Sequence, residues 1–213
     1  MGKYVEVVFI LDESGSMHHL KDDTIGGFNS MIEKQKDSEG DALVTAVCFS
    51  SDHRTIIDRE DIKNVKKLTD EDYQPNSNTA LLDAMGDTIH HIEQIHKYIR
   101  TEDLPEKTIF MITTDGMENS SHKYSSDEIK KLVEAKTEEG WEFIFMAANI
   151  DAVETAAQYG MRRDRAIRYR ACKEGTERMY DANARFVTRM MACESIDDAF
   201  VDLNSEIDMV DGN

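Results

Sequence analysis

Little in this sequence stiffens or crosslinks it. Pro75 and Pro105 are its only prolines, too few for a Pro-rich linker or a low-complexity hinge. Cys48, Cys172 and Cys193 are odd in number and show no C-x-x-C spacing. They make neither a disulfide framework nor a zinc knuckle, and a reducing compartment is the simplest setting. Positive charge is scarce: 25 Lys and Arg against 43 Asp and Glu leave a formal net charge of −18. A nucleic-acid binder needs clustered cations to displace counterions, and anionic membranes attract the same groups, so the balance argues against both partners. No apolar run approaches membrane-spanning length. The first residues show no basic n-region or small-residue cleavage site, and Glu6 stands where a myristoylation signal takes Ser or Thr. The expectation is a soluble, cytoplasmic protein.

What is present suits one domain with a sizeable core. Hydrophobic residues make up 40% of the 213, low-normal for a globular chain and too rich for a disordered one. Strand-length apolar runs alternate with helix-period segments. Val5 to Leu11, Ala42 to Phe49, Ile109 to Ile112, Glu142 to Ala147 and the weaker Ala166 to Tyr169 read as strands. Arg54 to Asp58 alternates and is polar, as an antiparallel edge strand would be, after a tight turn at Ser50-Ser51-Asp52. Helical faces appear at Ile25, Phe28 and Ile32, and along Leu82, Met85, Ile89, Ile92, Ile95 and Ile99. Ser125 with Glu128 forms a capping-box pair opening a helix to Gly140, and Asp151 with Glu154 caps a shorter one stopping at Gly160. Gly26-Gly27 inside a helical pattern suggests either close approach of the backbone to the sheet or a helix that starts later.

This order predicts a three-layer, doubly wound α/β fold with a mostly parallel six-stranded sheet and one antiparallel edge strand. Residues 1–170 form the domain, and 171–213 a C-terminal helical extension packed on it or appended to it. In that extension Met179, Asn183, Phe186, Val187 and Met190 mark one helix. Ile196, Phe200, Leu203, Ile207 and Val210 form the seam of another, capped by Ser195 and Asp198. Seven acids and no Lys or Arg lie between Glu194 and Asn213. An acidic outer face on a docked helix is the simpler reading, a partner-binding seam the sharper one.

The chemistry gathers at strand ends. The first strand runs into Asp12-Glu13-Ser14-Gly15-Ser16, and a later one into Thr113-Thr114-Asp115-Gly116. In an open α/β sheet ligands bind beyond the carboxyl ends of strands, where connections diverge. If those strands are neighbours, Asp12, Asp115, Ser14 and Ser16 face one crevice. A small set of hard oxygen donors suits Mg²⁺, with Mn²⁺ able to replace it. Two carboxylates only cancel a divalent charge, so the ion stays electrophilic and open to an incoming Asp or Glu. Taken singly, Asp12 reads as a strand-end turn residue and Ser14-Gly15-Ser16 as an ordinary turn.

Together these residues resemble the von Willebrand factor A domain and its metal-ion-dependent adhesion site. The family pattern also places a Thr in a loop before the helix preceding the second Asp strand, and Thr79 matches in position and context. The resemblance covers roughly residues 3 to 170. It implies that Ser14, Ser16 and Thr79 contact the metal directly, and Asp12 and Asp115 directly or through water. Asn78 stands where many members have Gly, and Asn tolerates a left-handed backbone. Met17, His18 and His19 read as loop or helix-start residues, His90, His91 and His96 as surface or boundary residues, and Glu118 and Asn119 as a solvated loop, with a place on the rim of the site as the alternative.

The implied function is a binding module, not an enzyme, whose partner protein supplies an Asp or Glu to the metal. Two alternatives compete. A Mg²⁺-dependent phosphatase of the haloacid-dehalogenase layout would want a second Asp two residues after the first, where this chain has Ser14. A subunit of an ATPase-driven complex would draw its motor from a partner, since no G-x-x-x-x-G-K loop is present.

Overall fold

Nine consecutive residues, Tyr4–Asp12, form β1, and every one is buried. Successive side chains of a strand face opposite sides, so a strand covered on both faces is apolar throughout. Val5, Val7, Phe9 and Leu11 join one hydrophobic cluster, Val8 and Ile10 the other. The computed structural model describes residues 4–208. The remaining strands are β2 (Asp41–Phe49), β3 (His53–Asp61), β4 (Lys107–Thr114), β5 (Glu142–Ala147) and β6 (Ala166–Arg168). Their order in one six-stranded sheet is β3-β2-β1-β4-β5-β6, with only the β2–β3 pairing antiparallel.

Helices cover both faces. On one lie α1 (Lys21–Lys36), α5 (Lys173–Met191) and α6 (Ile196–Asp208), with Phe28, Met31, Met179, Phe186, Phe200 and Leu203 in the shared cluster. On the other lie α2 (Leu81–Tyr98), α3 (Ser126–Glu138) and α4 (Ala152–Gln158), contributing Met85, Ile89, Ile92, Ile129, Val133 and Ala156. The Ser125–Glu128 capping box is fully formed, and Asp151 accepts from Glu154 N. Among the described residues no helix is long and apolar enough to cross a membrane.

Several expectations change on contact with the structure. The edge strand β3 is longer than residues 54 to 58, because irregular register against β2 and a left-handed Arg59 (φ 47°) let the pairing continue to Asp61. Gly27 does make a close approach, but to α5 and not to the sheet: a Cβ there would lie 2.3 Å from the Tyr180 ring. Gly26 meets nothing within 4 Å, and nothing in the structure explains it. The polar stretch 70–78 carries a fully buried Tyr73. In α6, Phe200, Leu203 and Ile207 are covered by the chain itself, while Val210 lies outside the described residues.

The sheet order sets the site. Connections from β1 lead to one face and those into β4 come from the other, and the parallel register pairs Leu11 with Thr113. One step further, Asp12 therefore stands beside Thr114 and Asp115 at the switch point.

Candidate metal centre

Asp12 closes β1 with its side chain almost wholly buried. Its Oδ1 accepts from Ser14 N (2.8 Å), and its Oδ2 from Thr114 Oγ1 (2.6 Å) and Asp115 N (3.4 Å). Ser14 Oγ and Ser16 Oγ are 2.9 Å apart, and Ser16 Oγ donates to Asp115 Oδ1 at 2.5 Å. Thr79 joins from the loop before α2: a Cβ on Gly116 would sit 3.8 Å from Thr79 Oγ1 and 3.9 Å from Ser16 Oγ. All five expected residues thus converge on one rim. Four of them are buried, whereas Ser16 is exposed, so the cluster opens to solvent on one side.

Burial is the largest influence on Asp12 and pushes its pKa up; the Thr114 and Ser14 hydrogen bonds work against it, and the charge of Asp115 adds to the rise. Among the described residues neither Asp12 nor Asp115 has a Lys, Arg or His within ion-pair distance, so two converging carboxylates lack a protein counter-charge. That imbalance, with hydroxyl oxygens as the other donors, fits a hard divalent cation. Among the described residues no group of three or more His, Cys, Asp or Glu forms a rival site. A cation among these oxygens would displace the Ser16–Asp115 hydrogen bond.

Further residues support the five, of which the sequence pointed only to Glu118 and Asn119 as an alternative rim. Thr114 fixes the Asp12 carboxylate, and the Tyr73 hydroxyl donates to Asp12 O at 2.5 Å. Asn119 clamps Thr79 at both backbone groups: Asn119 Oδ1 accepts from Thr79 N, and Asn119 N donates to Thr79 O, each at 3.0 Å. Glu118 is half-buried and accepts from Leu82 N (3.0 Å), Ser120 N and Ser121 N (2.8 Å each), capping the start of α2. Asn119 is exposed on this loop, as expected of a solvated segment, whereas Glu118 is half-buried and turned onto the start of α2. A Glu followed by Asn and two Ser is a capping composition that could have signalled it. The left-handed residue of the Thr79 loop is Ser77 (φ 63°), not Asn78. Ser77 O accepts from Gly15 N at 3.0 Å and ties this loop to the Ser14–Ser16 turn. Met17 to His19 lie in a short 3₁₀ turn, and His96 is a boundary residue paired with the buried Glu6 at 2.5 Å.

This sheet order is that of the von Willebrand factor A fold. The sequence matches no family model and no curated protein. Solved structures carry the likeness. Proximal thread matrix protein 1 from the mussel byssus, with a zinc-occupied MIDAS motif, is 12% identical at a TM-score of 0.58, covering 90% of this chain and 46% of that one. The vWF domain of the type V pili tip protein Mfa5 from Porphyromonas gingivalis is 9% identical at a TM-score of 0.64, with 90% and 97% covered. The SpRpn10 VWA domain is 7% identical at 0.59, with 85% and 95% covered. The chain spans less than half of the mussel protein and nearly all of the other two domains. At such identities the likeness is one of fold, and the chain has the von Willebrand factor A fold.

Proposed function

We propose that this chain is a metal-dependent protein-binding module. Ser14, Ser16 and Thr79 contact a divalent cation directly, and Asp12 and Asp115 hold it directly or through water. The all-oxygen donor set favours Mg²⁺, with Mn²⁺ as a substitute; the zinc in the mussel protein's MIDAS motif supports a divalent cation in this fold. When bound, the ion offers an electrophilic position to an Asp or Glu of a partner protein. The observation that carries this reading is the convergence of two buried carboxylates and three hydroxyls with no protein cation beside them among the described residues.

Binding, not hydrolysis, is the work of the site. A phosphatase of the related layout needs an acid two residues after Asp12, and Ser14 occupies that place with its hydroxyl against Ser16. Mn²⁺ titration followed by electron paramagnetic resonance tests the centre. Wild type should show one site that Asp12→Ala abolishes, and equal Mn²⁺ uptake by both would overturn the reading.

A further inference from the structure

In the Asp12-x-Ser14-x-Ser16 pattern residue 13 is an open position, and in this chain it is an acid. Glu13 is nonetheless buried, with 4% of its surface exposed. A carboxylate taken out of water needs partners, because an unpaired buried charge is costly. Its Oε1 accepts from Arg54 Nη2 at 2.6 Å and from Gln74 N. The first partner stands on β3, the second in the loop that runs on to Thr79. Pairing with Arg54 neutralises this third carboxylate, so Asp12 and Asp115 remain the two uncompensated charges of the centre.

These contacts belong to a row of ties between residues 12–15 and the loop. Arg54 Nη2 also donates to Asp72 O at 2.8 Å. The Tyr73 hydroxyl donates to Asp12 O, Asn76 N to Glu13 O at 2.9 Å, and Gly15 N to Ser77 O at 3.0 Å. Two residues further on the loop delivers Thr79, which Asn119 clamps from its own side. The ties differ in kind. At residues 12, 13 and 15 the metal turn offers main-chain groups, which any sequence would supply. Gln74, and Asp72 through Arg54, are held instead by the Glu13 carboxylate. A loop has no ladder of its own to fix its path, so this side chain sets a part of it.

We propose that Glu13 is a positioning residue of the metal centre: its carboxylate, braced by Arg54, holds the 72–79 loop where Thr79 can reach the cation. This rests on the metal-centre reading above. The role is geometric. Both recorded donors, Arg54 Nη2 and Gln74 N, converge on the single atom Oε1, so an acceptor oxygen at that place is what the loop requires. A Gln side chain offers such an oxygen at the same length, whereas Met has the length without the oxygen. By linkage the effect is reciprocal: if the held loop favours the cation, the cation favours the held loop.

Mn²⁺ titration of the full chain by electron paramagnetic resonance tests this with Glu13→Met, Glu13→Gln and Gly27→Ala. Glu13→Met should bind Mn²⁺ about tenfold more weakly than wild type, and Glu13→Gln should recover most of that loss. Gly27→Ala, destabilised where α1 meets Tyr180, should keep the wild-type affinity, which separates positioning from a general loss of stability. Native-state hydrogen exchange by NMR adds a measurement that needs no variant and decides alone if Glu13→Met does not fold. The Gln74 N–H should be protected in wild type, and more so in Mg²⁺. Absence of Mn²⁺ binding by wild type removes the metal centre, and this inference with it. Normal binding by wild type with an unaffected Glu13→Met, with Glu13→Gln as weak as Glu13→Met, or with an equal loss in Gly27→Ala overturns the positioning role alone. A Gln74 N–H that exchanges freely, or ignores Mg²⁺ while Mn²⁺ binds, overturns it as well.

Discussion

Asn119 holds Thr79 at its N–H and its carbonyl while touching none of the other four candidate ligands, which makes it a test of positioning. Groups that orient metal ligands typically change affinity by about 10- to 100-fold when removed. Asn119→Ala should weaken Mn²⁺ binding by about tenfold at unchanged circular dichroism, and an unchanged affinity would mean that the Thr79 loop is held by its other contacts. Thr114→Val keeps volume but withdraws the hydroxyl donated to Asp12 Oδ2 at 2.6 Å, and the same titration should show a loss of about tenfold or more. The difference between what the sequence showed and what it hid follows from chain distance. Asp12, Ser14 and Ser16 fall within five residues of one another, so their shared orientation is legible as a motif. Thr114 and Asn119 act on residues far along the chain, through a strand register and a loop path that no local pattern encodes.

At the scale of elements, α1 and α5 approach so closely that Gly27 leaves no room for a methyl against the Tyr180 ring, whereas its neighbour Gly26 meets open space. The two substitutions should therefore move stability in opposite directions. Gly27→Ala forces a clash worth about 1–3 kcal/mol, while Gly26→Ala gains up to about 1 kcal/mol of helix propensity. In a chain of this size each kcal/mol corresponds to about 2–4 °C in Tm, which differential scanning fluorimetry resolves. If Gly27→Ala were neutral, α5 would not lie against α1 as described. The helices and buried strands were legible because their apolar periods agree with their caps, as at Ser125–Glu128 and Asp151–Glu154. The stretch from Asp70 to Asn78 was not. Its composition is polar, yet Tyr73 turns inward to donate to Asp12 O, and one inward residue leaves no periodicity to read. Tyr73→Phe should cost about 1 kcal/mol by thermal denaturation, the worth of one buried hydrogen bond.

For the molecule as a whole, the excess of acids complicates any claim that a metal stabilises it. A chain at −18 is strained by self-repulsion, and any salt relieves part of that by screening. A site that binds only the folded state adds a different contribution, RT ln(1 + [L]/Kd), about 2.7 kcal/mol at a hundredfold excess over Kd. That corresponds to a rise of about 5–10 °C in Tm. The two effects separate through Asp12, whose replacement changes the net charge by one unit in 18 but removes a carboxylate from the centre. Thermal melts of wild type and Asp12→Ala in NaCl and in MgCl₂ at matched ionic strength should show the same NaCl response in both. The additional Mg²⁺ shift should belong to wild type alone. An equal Mg²⁺ shift in both would assign the stabilisation to screening and leave the five converging oxygens without a cation to hold.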